Sequence, residues 1–392
     1  MIELSVSDFQ QLAEQEKSTC VSIYMPAEKS GAETRKNPII FKNLIREAQD
    51  KLEQLNKSTA KLVEAINSAQ GYIEDYDFWQ HQDLGLAFFI NADGIKHYRL
   101  PYSFEQQINI SDRFNLKPLL PLIVNDSKFY LLALSQNRIQ FFLGSHYSIS
   151  ELKLPKSVPT SLAEALKYDD PEKQQQYHSG DTGTSPIYHG QGVGTTDNKD
   201  EIKRFFQQID RGLQEALQAE NTPLILAGVE FLLPIYHEAN SYTNLLTTGV
   251  TGNPEHVAPM DLHASAWSII KPHLKTQRKQ DIDKFNQLSN TKEASSHLEQ
   301  VVAAAATGQV DTLFITKNAQ CWGEFDLQSN KVIIHPEATE NSIDLVDLAA
   351  TKTYLQGGKV YILEFQEMPD NTAMSAIFRY PIYASTTKVT AS

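Results

Sequence analysis

The sequence predicts an α/β protein of two or three domains, and three observations carry that expectation. Short β-branched and aromatic runs alternate with helical patterns, as where CVSIYMP precedes NPIIFKNLIREAQDKLEQL and where VDTLFITKN and KVYILEF flank NSIDLVDLAATKTYLQ. At 392 residues the chain is longer than one hydrophobic core comfortably serves. An apolar share of 41% with 21% charged residues is that of a globular chain, neither disordered nor fibrous.

The first expected domain covers residues 1–111. CVSIYMP (20–26) reads as a strand ended by proline. A helix then begins with Asn37 as N-cap and Pro38 at the first helical position, its Ile40, Phe41, Leu44, Ile45, Ala48 and Leu52 at helical spacing. A second helix is expected near Thr59–Ala69. DLGLAFFIN and GIKHYRLP then form two strands joined at Asn91-Ala92-Asp93-Gly94, whose Asp-Gly is a hairpin turn signal.

The second expected domain covers residues 112–255. KFYLLALSQNRIQFFLG supplies a hairpin with strands Phe129–Leu134 and Arg138–Leu143. From about Pro155 to Asn198 the chain is rich in Gly, Ser, Thr, Asp and Pro, with little apolar periodicity. A loop of that length inside a domain is usually functional or mobile. Its last part, a Gly-rich loop at 178–198, holds YHGQGVGTTDN, three glycines in five residues directly ahead of a helix. Glycine gives up the most conformational freedom on ordering, so the cluster marks unusual backbone angles or close approach to a partner. The helix shows Ile202, Phe205, Phe206, Ile209, Leu213, Ala216 and Leu217 on one face, with Asn198 and Glu201 at capping-box spacing. TPLILAGVEFLLPIYHEAN reads as a strand buried on both sides.

The third expected domain covers residues 256–392: helices near Met260–Leu288 and Glu293–Thr307, strands in VDTLFITKN, VIIHP, KVYILEF and AMSAIFRYP, and an acidic helix in NSIDLVDLAATKTYLQ.

Composition narrows the function. The net charge of −13 argues against a protein that coats nucleic acid nonspecifically, while leaving room for local basic patches. Lys29, Arg35, Lys36, Lys42 and Arg46 form one such run; Lys271, Lys275, Arg278, Lys279 and Lys284 form another, and solvated helix faces explain both equally well. Cys20 and Cys321, the two cysteines, give neither a disulfide framework nor a zinc spacing and suit the reducing cytoplasm. No signal peptide and no membrane span are expected.

Nucleotide motifs fail on context. A P-loop needs Lys after its glycines, and GQGVGTT has Thr there; a dinucleotide fingerprint follows a strand, and Gly190, Gly192 and Gly194 follow a polar loop. His178, Asp181 and His189 have no spacing that aligns them on a metal, and no Gly-x-Ser-x-Gly elbow anchors a serine nucleophile. Neither metal nor cofactor is expected.

SIYMP through RKNPIIFKNLIREA, FNLKPLLPLI through RIQFFLG, YHGQGVG through KRFFQQID, PLILAGVEFLLPIY, and AAATGQVDTLFIT through AIFRYP together resemble the bacterial archaeo-eukaryotic release factor family, relatives of class-one release factors and Pelota. The resemblance implies an N-terminal α/β domain, a central RNase H-like domain and a C-terminal domain like that of Pelota and kink-turn-binding ribosomal proteins. It implies a cytoplasmic translation factor acting on the ribosome and peptidyl-tRNA, with a possible partner GTPase and neither DNA nor membrane as partner.

In release factors a Gly-Gly-Gln loop ahead of a long helix promotes hydrolysis of the peptidyl-tRNA ester. His189, Gly190, Gln191 and Gly192 stand in the corresponding place and become the catalytic candidates, with His where the motif has its first Gly. A Cβ at that position excludes angles that Gly allows, and the imidazole offers a proton carrier or a stacking ring in exchange. Lys29, Arg35, Lys36 and Lys42 become the RNA-binding candidates. A loop without chemistry, on a non-catalytic Pelota-like adaptor, is the competing expectation.

Overall fold

The computed structural model describes residues 4–124, 128–169, 194–218 and 222–382. Contacts divide the chain into two units, Met1–Asp126 with Gln277–Ser392, and Ser127–Thr276.

In the first unit α1 (Val6–Ala13) opens on a capping box, in which the Ser5 hydroxyl accepts from the Asp8 amide and the Asp8 carboxylate from the Ser5 amide, each at 3.0 Å. There follow β1 (Glu16–Pro26), a 3-10 turn (Ala32–Lys36), α2 (Asn37–Gln54), α3 (Ala60–Gln70), α4 (Tyr76–Gln80), β2 (Gly85–Asn91), β3 (Gly94–Leu100), β4 (Gln107–Arg113) and α5 (Leu120–Ile123). The sheet has the order β3-β2-β1-β4, antiparallel throughout. Alternation along β1 separates two cores: Val21, Ile23 and Met25 face α2 and α3, while Cys20 and Tyr24 join a second cluster.

The cap of α2 differs from expectation. Asn37 lies inside the helix at φ −56°, with Lys36 as N-cap. The Asn37 side chain instead accepts from the Glu28 amide at 2.9 Å and donates to the Glu28 carbonyl at 3.0 Å, bracing the chain as it leaves β1. The expected α3, with Thr59 as its cap, and the β2–β3 hairpin are present, Gly94 taking φ +135° in the turn.

The second unit comprises β5 (Phe129–Leu134), β6 (Ile139–Gly144), β7 (Ile149–Leu152), α6 (Leu162–Asp169), α7 (Gly194–Gln218), β8 (Leu224–Gly228), α8 (Leu232–Ala239), β9 (Val250–Thr251) and the first part of α9 (Pro259–Leu288). Its sheet runs β7-β6-β5-β8-β9, with β5, β6 and β7 antiparallel to their neighbours and β5, β8 and β9 parallel. This is the strand order and direction of the RNase H-like arrangement. Tyr130, Leu132 and Leu134 pack under α6, α7 and α8; Phe129, Leu131 and Ala133 pack under Leu262, Ala266, Ile270 and Leu274 of α9. The sheet is therefore buried on both faces, which explains its near-continuous apolar strands.

Three expectations are corrected here. TPLILAGVEFLLPIYHEAN is a strand only over Leu224–Gly228 and then turns into α8, since an apolar run alone does not distinguish a buried strand from a buried helix. The low-periodicity stretch contains α6. Asn198 is no cap, because α7 already begins at Gly194.

The remainder of the first unit holds β10 (Ala294–Ser295), α10 (Leu298–Ala306), β11 (Val310–Thr316), β12 (Trp322–Asp326), β13 (Lys331–Ile334), β14 (Ile343–Asp344), α11 (Leu345–Leu355), β15 (Lys359–Leu363) and β16 (Met374–Phe378). One sheet runs β10-β16-β11-β15, and a smaller one β13-β12-β14. β11 and β15 are parallel, with α11 in the connection between them. The expected helix over Glu293–Thr307 is shorter, its first residues forming β10.

α11, expected as an acidic helix, is buried over most of its length, Asp347 included. The Asp347 carboxylate accepts from the amides of Leu116 at 2.7 Å and Lys117 at 2.6 Å, 3.7 Å from Arg113; Asp344 pairs with Lys117 at 2.6 Å. These bonds tie the segment after β4 to α11 inside one core shared by Phe9, Tyr24, Phe89, Val301, Val346 and Ala350.

Candidate functional site

The catalytic candidates His189, Gly190, Gln191 and Gly192 lie outside the described residues, as do His178 and Asp181. What the structure describes is their base. α6 ends at Asp169 and α7 begins at Gly194, three positions after Gln191. In the sequence 170–193 connects two helices that pack on one face of the β5–β8 sheet.

α7 is a firm support. Of the stripe that the sequence predicts, Ile202, Phe205, Phe206, Ile209, Leu213 and Leu217 are buried and Ala216 is partly buried. Gly212 lacks a side chain where Val158 packs: a Cβ there would lie 2.3 Å from the Val158 methyl. Asp210, buried on the same helix, accepts from the amide of Ser241 at 3.0 Å and from its hydroxyl at 2.6 Å, so α7 is tied to the chain leaving α8. Nearer the helix start, Lys199 and Lys203 hold Glu238 of α8 at 3.3 and 2.9 Å. Hydrogen bonds from Lys203 and Lys199 keep the Glu238 carboxyl below its usual range. Tyr236, beneath α7, has its phenol pushed well up by burial, and its hydroxyl has no hydrogen-bond partner among the described residues.

Hydrolysis of phosphodiesters by paired metals needs clustered carboxylates, and the central strands β5 (FYLLAL) and β8 (LILAG) carry none. Among the described residues no group of three His, Cys, Asp or Glu side chains is placed to hold a metal ion. No helix among them is long and apolar enough to cross a membrane. The described helices on either side of 170–193 in the sequence, α6 and α7, are held to one sheet by buried apolar side chains.

The RNA-binding candidates divide into two kinds. Lys29 is paired with Asp83 at 3.2 Å, and Lys36 with Glu33. Arg35 and Lys42 are exposed, and no carboxylate among the described residues pairs with them. On α2, exposed Ile39, Lys42 and Arg46 follow one another at helical spacing, a stripe that adds Arg46 to the candidates. In the second basic run Arg278 is 3.4 Å from Glu367 and Lys284 is 3.6 Å from Asp311, so those two are answered locally.

Residues 129–272, almost the whole of the second unit, match the model of Bacterial archaeo-eukaryotic release factor family 7. Over this unit the chain resembles that family. No curated protein matches the chain. Among solved structures, the chain is similar to an archaeal translation termination factor, aRF1, at 12% identity over 97% of this chain and 99% of that one, TM-score 0.23. It is also similar to Dom34 of S. cerevisiae, a translation termination-like factor, at 14% identity over 74% and 75% of the two chains, TM-score 0.35. A model of ribosome-bound archaeal Pelota and ABCE1 is similar at 10% identity over 98% and 96%, TM-score 0.40. The matched stretch contains the glutamine-bearing segment between α6 and α7.

Proposed function

We propose that the protein is a ribosome-associated translation factor that promotes hydrolysis of peptidyl-tRNA in ribosome rescue or a termination-like step. One observation carries the reading: Gly190-Gln191-Gly192 closely precedes α7, a helix anchored from Lys199 to Leu217, inside a unit that matches a release-factor family. In the reaction a water oxygen bonds to the ester carbonyl carbon, the bond to the tRNA ribose oxygen breaks, and the water's proton ends on that ribose oxygen. Such a step needs a positioned water and donors aimed at the developing oxyanion. The backbone amide of Gln191 supplies one donor and its side-chain amide orients the water, so no group here has to titrate. Lys42, Arg46 and Arg35 present cations to RNA phosphate.

The test is peptide release from purified stalled ribosome–nascent-chain complexes. Wild-type protein releases peptide and Gln191→Ala loses most of that activity. Ribosome binding with no release by wild type would instead support the adaptor. Absence of both binding and release would overturn the assignment.

A further inference from the structure

Five aromatic rings run in sequence from the core of the second unit to its surface, and the peptide-release reading uses none of them. Buried Phe129 lies 5.9 Å from His263 at an interplanar angle of 29°. His263 lies 6.4 Å from Trp267 at 8°, and Trp267 lies 4.6 Å from His146 at 15°. Tyr147 continues the series, 4.3 Å from His146 at 35°. The inner end is fixed, since Nε2 of His263 is 2.7 Å from the carbonyl oxygen of Ser145 and donates to it, joining α9 to the β6–β7 turn. Towards the surface, Trp267 and Tyr147 are half-buried and His146 is exposed.

On α9 the charge beside these rings has one sign. From Leu262 to Gln280 the α9 sequence contains no carboxylate. Lys271 and Lys275 follow Trp267 at i+4 and i+8, on the same side of the helix, and both are exposed. Among the described residues neither is paired with a carboxylate. Partial burial first, and then the charge of Lys271, hold the His146 imidazole below its ordinary range. At neutral pH it is a flat neutral ring with cations beside it. Core packing explains Phe129, His263 and the covered part of Trp267. It does not explain an exposed histidine laid flat on the indole, next to two unanswered lysines.

We infer that this ladder is a stacking platform for unpaired RNA bases, with Lys271 and Lys275 taking the strand's phosphates. A base has a planar, weakly polar face and extends a stack of rings at its solvent end, and the adjoining phosphates meet the lysines. An acidic peptide would engage the lysines and leave the rings idle; a single strand uses both. The choice of RNA over DNA rests on the translation reading, while the platform itself does not.

The test uses the full chain and a fluorescein-labelled oligoadenylate RNA of about ten nucleotides, titrated by fluorescence anisotropy in about 0.1 M salt. Trp267→Ala and His146→Ala each weaken binding about tenfold, within the range of one missing base stack. Trp267→Phe, which keeps a ring, loses clearly less. Lys271→Glu with Lys275→Glu lowers the slope of log affinity against log salt by about 0.7 for each phosphate no longer neutralised. A duplex of the same length, its bases already stacked, binds more weakly than the single strand. Should Trp267→Ala fail to fold, His146→Ala and Trp267→Phe carry the comparison. The inference is overturned if wild type does not bind the oligomer, if the His146 and Trp267 variants bind like wild type, or if the duplex binds as tightly. No ribosome or ester is present in these titrations, so their failure leaves Gln191-dependent release standing, and the reverse also holds.

Discussion

Asp210 and Ser241 are joined by two hydrogen bonds, from the Ser241 amide at 3.0 Å and from its hydroxyl at 2.6 Å, with the aspartate buried under the surface of α7. Asp210→Ala leaves the Ser241 amide without its acceptor and is expected to cost about 1–3 kcal/mol; Ser241→Ala, which removes the hydroxyl's bond to Asp210 and the one it accepts from Gln214, costs about 1. The double variant then loses less than the sum, with a coupling of about 1 kcal/mol. Urea unfolding of the four proteins measures it. Additive losses would mean that the pair does not act as the anchor of the helix that follows Gln191.

This anchor shows where the sequence is informative and where it is silent. The buried stripe of α7 follows from spacing alone, because one helical face repeats its apolar residues at local intervals. The Asp210–Ser241 bond joins positions 31 apart in the chain, and no local pattern encodes it. The same holds for Asp347 and for the ladder from Phe129 to His146, which needs α9 laid across a hairpin. β8 and α8 merge in the sequence because both are apolar throughout, so periodicity cannot divide them. The helix that follows the glutamine segment is legible in the sequence, while residues 189–192 themselves lie outside the described residues.

Asp347 gives the molecule a pH-sensitive joint. Burial pushes its carboxyl up to about 6 from 3.8, against the pull of Arg113, Lys117 and the Leu116 amide. Because the folded-state value is the higher one, the folded protein binds the proton more tightly between these pH values. The stabilisation is fully present below about pH 4 and is lost as pH rises through about 6. The whole change is roughly 3 kcal/mol. Asp347→Asn keeps an acceptor for the two amides and cannot ionise. Its unfolding free energy, compared with wild type at pH 4 and pH 7, should gain on wild type by about that amount. Carboxylates held low, such as Glu238, act in the opposite direction in both proteins and cancel in the difference. Parallel profiles would show that Asp347 does not titrate in this window.

Gly144 sits opposite Phe129 across the β5–β6 pair, and a Cβ built on it would lie 2.4 Å from that ring. Gly144→Ala should therefore overpack the sheet and cost about 1–3 kcal/mol. Phe129→Leu shortens the obstructing side chain, so the double variant should lose less than the two single losses added together. Differential scanning calorimetry of the three variants reads this directly, and a Gly144→Ala protein as stable as wild type would remove the steric argument.

The two kinds of lysine in the N-terminal part predict different consequences. Lys29 and Lys36 already face Asp83 and Glu33, so their charge is largely answered locally. Lys42 and Arg46 stand exposed along α2, with Ile39 between them and the 3-10 turn. If this stripe meets RNA phosphate, Lys42→Glu with Arg46→Glu should weaken co-sedimentation with ribosomes and lower the slope of log affinity against log salt by about 0.7–0.9 for each phosphate left without its cation. Lys29→Glu with Lys36→Glu should change that slope by clearly less. The net charge of −13 makes the comparison a demanding one, because any nonspecific attraction is already opposed by the rest of the surface. Equal slopes for wild type and the Lys42/Arg46 variant would take α2 out of the interface, whatever the fate of Gln191.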